Sequence, residues 1–148
     1  VTLDGDGQND PADIPLLHSL LKHSHMVVLG NRKKRDDHFI RRASSFIGNR
    51  ARQFVLGDNC PDTGCSLKLF PRKAFLELPH FNHLHRFLPA LFIRQGYELA
   101  NIPVHHRPRK HGVSKYGIRN RLFVGLYDLI GVYWLLKRSC MAEIEHDS

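Results

Sequence analysis

From Asp10 onward the apolar positions fall into short blocks whose spacing alternates between helical and extended. Ile14, Leu16, Leu17, Leu20 and Leu21 recur at helical spacing behind Asp10, a good N-cap, and Pro11, a good first helical residue. Their spacing predicts a helix to about His23. Met26-Val27-Val28-Leu29 is a continuous apolar run closed by Gly30, which predicts a short buried strand, with polar Asn31 to His38 as the loop at its end. From Arg41 to about Leu56 the period is helical again. Ala43, Phe46, Ile47, Ala51, Phe54 and Val55 make an apolar stripe, and Arg41, Ser45, Asn49 and Arg52 take the opposite face. Gly57-Asp58-Asn59 ends that helix and Pro61 prevents its return.

Ser66 to Phe70 predicts a strand and Lys73 to Leu78 a short helix. Arg86 to Gln95 has helical character that Pro89 should break or kink, and Glu98 to His105 alternates weakly as a further strand. Strands alternating with helices make the fold class α/β. Ile118 to Arg138 is mostly apolar, but between Arg121 and Lys137 a helix spans only about 22 Å, against roughly 30 Å of hydrocarbon. Asp128 at mid-span counts further against a membrane crossing. Two arrangements stay open. The helix is buried against its own domain or a second copy of the chain in a homodimer, or it is an amphipathic helix at a membrane interface. In the second case Tyr127, Tyr133 and Trp134 lie near headgroups.

A chain of 148 residues is long enough for one domain with a real core. Its formal net charge of +8 points to an anionic partner: nucleic acid, phospholipid headgroups or a phosphorylated substrate. Aromatics are not interleaved with Lys and Arg in a recognisable nucleic-acid motif. The positive charge clusters instead at Arg32 to Arg52 and Arg107 to Arg121. Three cysteines, an odd number, argue against a disulfide framework. Cys60 and Cys65 read as small apolar residues near a loop before they read as a metal or redox pair. His80, His83 and His85 have zinc-like spacing, without an acidic or cysteine ligand nearby in the chain.

The chemistry begins at Asp4-Gly5-Asp6-Gly7-Gln8-Asn9-Asp10-Pro11. Val1-Thr2-Leu3 reads as the end of a buried strand, so two carboxylates one residue apart emerge together at its carboxyl edge, where open α/β sheets bind ligands. Hard oxygen ligands of this kind suit Mg²⁺ or Mn²⁺ that also hold a phosphate. Alone, the stretch reads first as an acidic turn.

This series resembles the metal-binding segment of family-2 glycosyltransferases of the GT-A fold, most closely the branch that makes polyprenyl-phosphate sugars, the dolichol-phosphate mannosyltransferase type. The resemblance continues through Gly30-Asn31-Arg32, Arg41 to Asn49, Asp62-Thr63-Gly64-Cys65-Ser66-Leu67-Lys68 and Arg109 to Tyr116, and so covers most of residues 1–138. It implies a Rossmann-like GT-A domain of which residues 1–117 are the C-terminal portion, followed by an apolar or amphipathic helix at 118–138 and a polar tail at 139–148. The chain starts at Val1 with no initiator Met, and the resemblance implies earlier strands that hold the nucleotide; the expectation is the C-terminal part of a longer protein.

By the same resemblance, Asp4, Asp6 and Gln8 form the environment of Mg²⁺ or Mn²⁺, with Asp4 also available to the donor. Arg109, Ser114 and Lys115 belong to a mobile basic loop that closes on the donor diphosphate. Arg32, Arg41 and Ser45 bind an acceptor phosphate. Asp62 faces the acceptor as the catalytic carboxylate, an obligatory base for a hydroxyl acceptor and an orienting group for a phosphate, which is largely dianionic already. His85-Arg86 departs from the acidic residue that many relatives carry near the acceptor.

The implied function is inverting, metal-dependent transfer of a mannose- or glucose-like sugar from a nucleotide-diphosphate sugar to a polyprenyl phosphate, dolichyl or undecaprenyl. The implied setting is the cytoplasmic face of the membrane, with peripheral association and no nucleic-acid partner. Two other readings differ in their partners: a family-2 enzyme with a lipid or glycan hydroxyl as acceptor, and a basic nucleic-acid-binding domain whose affinity falls steeply with salt.

Overall fold

The structure is a computed structural model that describes residues 1–32, 39–107 and 118–138; for 39–47 and 118–123 it describes the backbone alone. It is mixed α/β and divides into two compact units between Lys115 and Tyr116. The first unit is built on strands β1 (Met26–Arg32), β2 (Lys68–Leu69) and β3 (Glu98–Val104), in the order β2-β1-β3. β1 and β3 are parallel, in register from Met26 opposite Glu98 to Arg32 opposite Val104, whereas β2 runs antiparallel to β1. Thr2 forms an antiparallel bridge to Lys68, so the chain entering the acidic segment runs parallel to β1 beyond β2. Val1 and Leu3 are about half-exposed there, not buried as their apolar character predicts.

Burial on both faces explains the continuous apolar run of β1. Val28 packs with Leu17, Met26, Cys65, Leu67, Ile102 and Val104 on one face, while Val27 and Leu29, pointing the other way, are equally buried. Helix α1 (Ile14–Ser19) supplies Leu17 to that core. It stops short of His23, and Leu20 and Leu21 reach the core from the turn beyond it. Asp10 caps the preceding 3-10 turn, Pro11–Asp13, by accepting from the Ala12 N–H at 3.1 Å. Glycine is required at position 30: a Cβ there would lie 2.9 Å from the Leu67 carbonyl oxygen and 3.1 Å from the Cys65 sulfur.

Over residues 48–56, helix α2 (Phe39–Leu56) is turned inside out relative to a helix that covers a core. Arg52 is buried, while Ala51, Phe54 and Val55 face outward, Phe54 with 91% of its surface exposed. The cause lies in the loop after it, where Gly57 ends the helix at φ +67° and the chain folds back against the polar face. Asn49 donates to the Pro61 carbonyl at 3.0 Å, Gln53 to the Cys60 carbonyl at 2.7 Å, and Arg52 to Asp58 at 3.0 Å and to the Cys60 carbonyl.

Helix α3 (Arg72–Leu76) follows, and then a 3-10 turn, Leu84–Arg86, leads into α4 (Leu88–Arg94). Pro89 does not break this helix, because it sits in the first turn, where its missing N–H is unneeded. The second unit contains α5 (Ile118–Lys137). A helix is present as predicted, but its apolar residues are spread round the axis rather than gathered on one face. No helix among the described residues is long and apolar enough to cross a membrane.

Candidate active site

Three segments meet at the edge where the acidic stretch leaves the sheet, and Ser66 joins two of them. Its hydroxyl accepts from the Asp4 backbone N–H at 3.1 Å and from the Asn9 side-chain amide at 2.6 Å, while its carbonyl accepts from the Thr2 hydroxyl at 3.0 Å. The loop carrying Asp4 and Asp6 is therefore pinned beside the loop carrying Asp62. Within it, Gly7 takes the left-handed backbone (φ +74°), and an Asp6 carboxylate oxygen accepts from the Gln8 N–H at 3.1 Å. Asp4 stays exposed and Asp6 half-buried.

The third segment is His105 to Arg107. The Arg107 N–H donates to the Gln8 carbonyl at 2.8 Å, Asn9 and His106 form a β-bridge, and the Gln8 amide lies 3.4 Å from His106 Nε2. The Arg107 guanidinium pairs with Asp10. Buried Asp13 accepts from the His105 N–H at 2.7 Å and approaches its ring Nδ1 at 2.8 Å. The Asp10 carboxyl is held below its usual range first by the Ala12 N–H, against some desolvation, and then by Arg107. These bonds fasten the residues just ahead of the basic loop to the acidic stretch. Arg109, Ser114 and Lys115 themselves lie outside the described residues.

Asp62 and Arg32, assigned from sequence to catalysis and to acceptor phosphate, face each other in a two-pronged pair. Arg32 Nε donates to Asp62 Oδ2 at 2.6 Å and Nη2 to Oδ1 at 2.7 Å, with the Arg32 backbone N–H 3.4 Å from Oδ2. Both side chains are largely buried, 13% and 8% exposed. Gly64 leaves room for the fork, since a Cβ there would sit 2.9 Å from Arg32 Nη2. Arg41 and Ser45 fall within α2, where the backbone alone is described.

Two buried charges hold the Asp62 loop from beneath. The Lys68 ammonium donates to the carbonyls of Thr63, at 3.3 Å, and Cys65. Burial lowers its pKa, opposed in turn by Cys65, Cys60, Asp62 and Asp4. Asp58, fully buried, accepts from Arg52 and from the Cys60 N–H at 3.1 Å; its carboxyl is nonetheless pushed up by burial, with Arg52 opposing. Desolvation also raises the thiols of Cys60, to about 11, and of Cys65, so both are inert neutral groups at physiological pH.

Ser66, Lys68, Asp58 and Arg107 received no individual role from the sequence. Ser66 and Lys68 stand inside the quoted motif, and Arg107 within a basic cluster, but nothing in linear spacing says which loop each would bond. Among the described residues no three His, Cys, Asp or Glu side chains converge as a metal site, His80, His83 and His85 included. The oxygen donors at hand are two carboxylates and one amide, Asp4, Asp6 and Gln8. That set fits a hard cation that takes its remaining oxygens from water and phosphate.

No family model matches the chain, and no solved structure matches it significantly. Among curated proteins it is 36% identical over 140 residues to the dodecaprenyl-phosphate galacturonate synthase of Rhizobium johnstonii, covering 92% of this chain and 41% of that protein. It is 34% identical over 130 residues to the undecaprenyl-phosphate 4-deoxy-4-formamido-L-arabinose transferase of Edwardsiella ictaluri, covering 88% of this chain and 40% of that one. Against the protein of the same name from an Enterobacter species the figures are 35%, 88% and 39%. The chain thus spans about two fifths of the length of these relatives. Through most of its own length it is a homologue of part of the polyprenyl-phosphate sugar transferases, the group its motifs resemble.

Proposed function

We propose that this chain contributes the metal- and acceptor-binding side of an inverting glycosyltransferase of the GT-A kind. The enzyme moves a sugar from a nucleotide-diphosphate sugar to a polyprenyl phosphate. One observation carries the reading. The Ser66 hydroxyl bonds the Asp4–Asn9 segment four residues after Asp62, so the acidic loop and the Arg32–Asp62 pair stand side by side. Donor diphosphate and acceptor phosphate need such adjacent sites, one rich in oxygen ligands and one in cations.

In this reading Asp4, Asp6 and Gln8 hold Mg²⁺ or Mn²⁺. The bound cation supplies Lewis-acid stabilisation of the charge that develops on the leaving diphosphate. Arg32 receives the acceptor phosphate, with Arg41 and Ser45 as further donors and Asp62 beside them. Arg109, Ser114 and Lys115 close over the diphosphate and keep water out. The bonds from Gln8, Asp10 and Asp13 to His105–Arg107 support this by fastening the base of that loop to the metal segment.

The acceptor is a lipid, and peripheral association with the cytoplasmic face of a membrane belongs to the same proposal. An anionic lipid surface suits the outward apolar side of α2 and the exposed Leu126, Tyr127, Ile130 and Trp134 of α5 on a chain of net charge +8.

The test uses the full gene product, screened with UDP- and GDP-sugars and undecaprenyl phosphate, with and without Mn²⁺. The expected result is metal-dependent lipid product that falls at least about a hundredfold in Asp6→Ala. A full gene product that binds no nucleotide-diphosphate sugar would overturn the proposal.

A further inference from the structure

We infer that residues 105–107, the tail of β3, position Gln8 as a cation ligand, and that buried Asp13 and His106 are the positioning residues through which they do so. The inference deepens the proposed function and rests on its cation site.

β3 ends its pairing with β1 at Val104, opposite Arg32, so the sheet does not guide the chain beyond that point. Asp13 takes over the task. One oxygen of its carboxylate accepts from the His105 backbone N–H at 2.7 Å, and the other lies 2.8 Å from the ring Nδ1. A single side chain, in a residue only 4% exposed, thus holds both the main chain and the ring of a residue 92 positions away. Hydrogen bonds to a carboxylate are of the strong kind, and a buried carboxylate is costly without them, so the tail is drawn to one course.

That course delivers the next two residues to Gln8. His106 forms its bridge with Asn9, and the Arg107 N–H donates to the Gln8 carbonyl at 2.8 Å, with the Arg107 guanidinium paired to Asp10 on the same segment. The Gln8 N–H in turn donates to an Asp6 carboxylate oxygen at 3.1 Å, so the main chain of Gln8 is held from both sides. Its side chain is held as well, since the amide nitrogen lies 3.4 Å from His106 Nε2. An amide that turns its nitrogen to the ring keeps its oxygen, the atom a hard cation takes, for another partner. Glutamine is among the side chains that lose most rotamer freedom on being ordered, so one held in place beforehand binds more tightly.

The experiment titrates the full gene product with Mn²⁺ alone and follows free Mn²⁺ by its electron paramagnetic resonance signal. We expect Asp13→Ala to weaken Mn²⁺ binding about 10–100-fold, the usual effect of losing a residue that orients a ligand. Asp13→Asn, which keeps an oxygen for the His105 N–H, should stay within about threefold of wild type. In a Gln8→Ala background the further change Asp13→Ala should cost less than about threefold, because the ligand it positions is gone. A change that merely loosened the fold would not depend on Gln8 in this way. Folding is checked by circular dichroism; if Asp13→Ala does not fold, His106→Phe is taken through the same cycle with Gln8→Ala.

A folded Asp13→Ala or His106→Phe protein that binds Mn²⁺ as wild type does would overturn the inference. So would one that loses the same factor with and without Gln8. In either case the proposed cation site stands if Asp6→Ala abolishes the binding. A wild-type protein that binds no Mn²⁺ would overturn both the inference and that site.

Discussion

Cys60 shows how a residue's surroundings decide its chemistry. Four residues separate it from Cys65, a spacing open to a metal or redox pair, yet both thiols are buried and free, and burial pushes Cys60 up to about 11 from an ordinary 9.0. Above pH 9 the unfolded chain releases this proton while the folded one keeps it, so the unfolded state binds fewer protons and stability falls as pH rises. The contribution is intact below 9.0 and lost by about 11, at up to about 1.4 kcal/mol per pH unit. Urea unfolding across that window should show a shallower decline for Cys60→Ala than for wild type; equal slopes would place the thiol in a wetter setting. Asp4, Asp6 and Asp62 could be singled out from the sequence because their motifs are local. Ser66 could not, since its significance lies in bonds to Asp4 and Asn9, 62 and 57 residues away.

Helix α2 was legible as an element and misleading as a surface. Its period is plain, and Gly57 and Pro61 mark its end, but hydrophobic pattern alone turns the apolar stripe toward a core. Over residues 48–56 the buried side is instead the polar one, because Asn49, Arg52 and Gln53 donate to the backbone and to one Asp58 carboxylate oxygen of the loop that presents Asp62. Removing Arg52 would leave Asp58 buried without a counter-charge. We expect Arg52→Ala to cost about 3–5 kcal/mol in chemical denaturation, and Arg52→Ala/Asp58→Ala less than that single change. A double variant as unstable as the sum of the singles would mean the two residues act independently. Pro89 corrects the sequence reading in the other direction: a residue expected to interrupt a helix sits in the first turn of one, directly after a 3-10 turn.

At the scale of the whole molecule, the exposed Phe54 and Val55 of α2 and a net charge of +8 underlie the proposed contact with an anionic lipid surface. Phe54, 91% exposed, is a direct reporter. In Phe54→Trp, anionic vesicles should shift the added indole emission to the blue, and brominated lipid should quench it beyond the signal of native Trp134. Unchanged emission from position 54 would detach α2 from the membrane, whatever else in the protein binds it.

Periodicity, caps and breakers are short-range properties, so the sequence by itself determined the α/β alternation, the strands of β1 and β3, the ends of α2 and the acidic motif. The kinship with polyprenyl-phosphate sugar transferases was legible for the same reason, being carried by contiguous motifs. The tertiary structure alone decided which face of α2 points inward, that Ser66 joins the acidic loop to the Asp62 loop, and that His105–Arg107 are fastened to Gln8, Asp10 and Asp13. It also paired Arg32 with Asp62 across 30 positions of chain. A buried charge or hydroxyl must find its partner wherever the fold brings one, and linear spacing holds no record of that meeting.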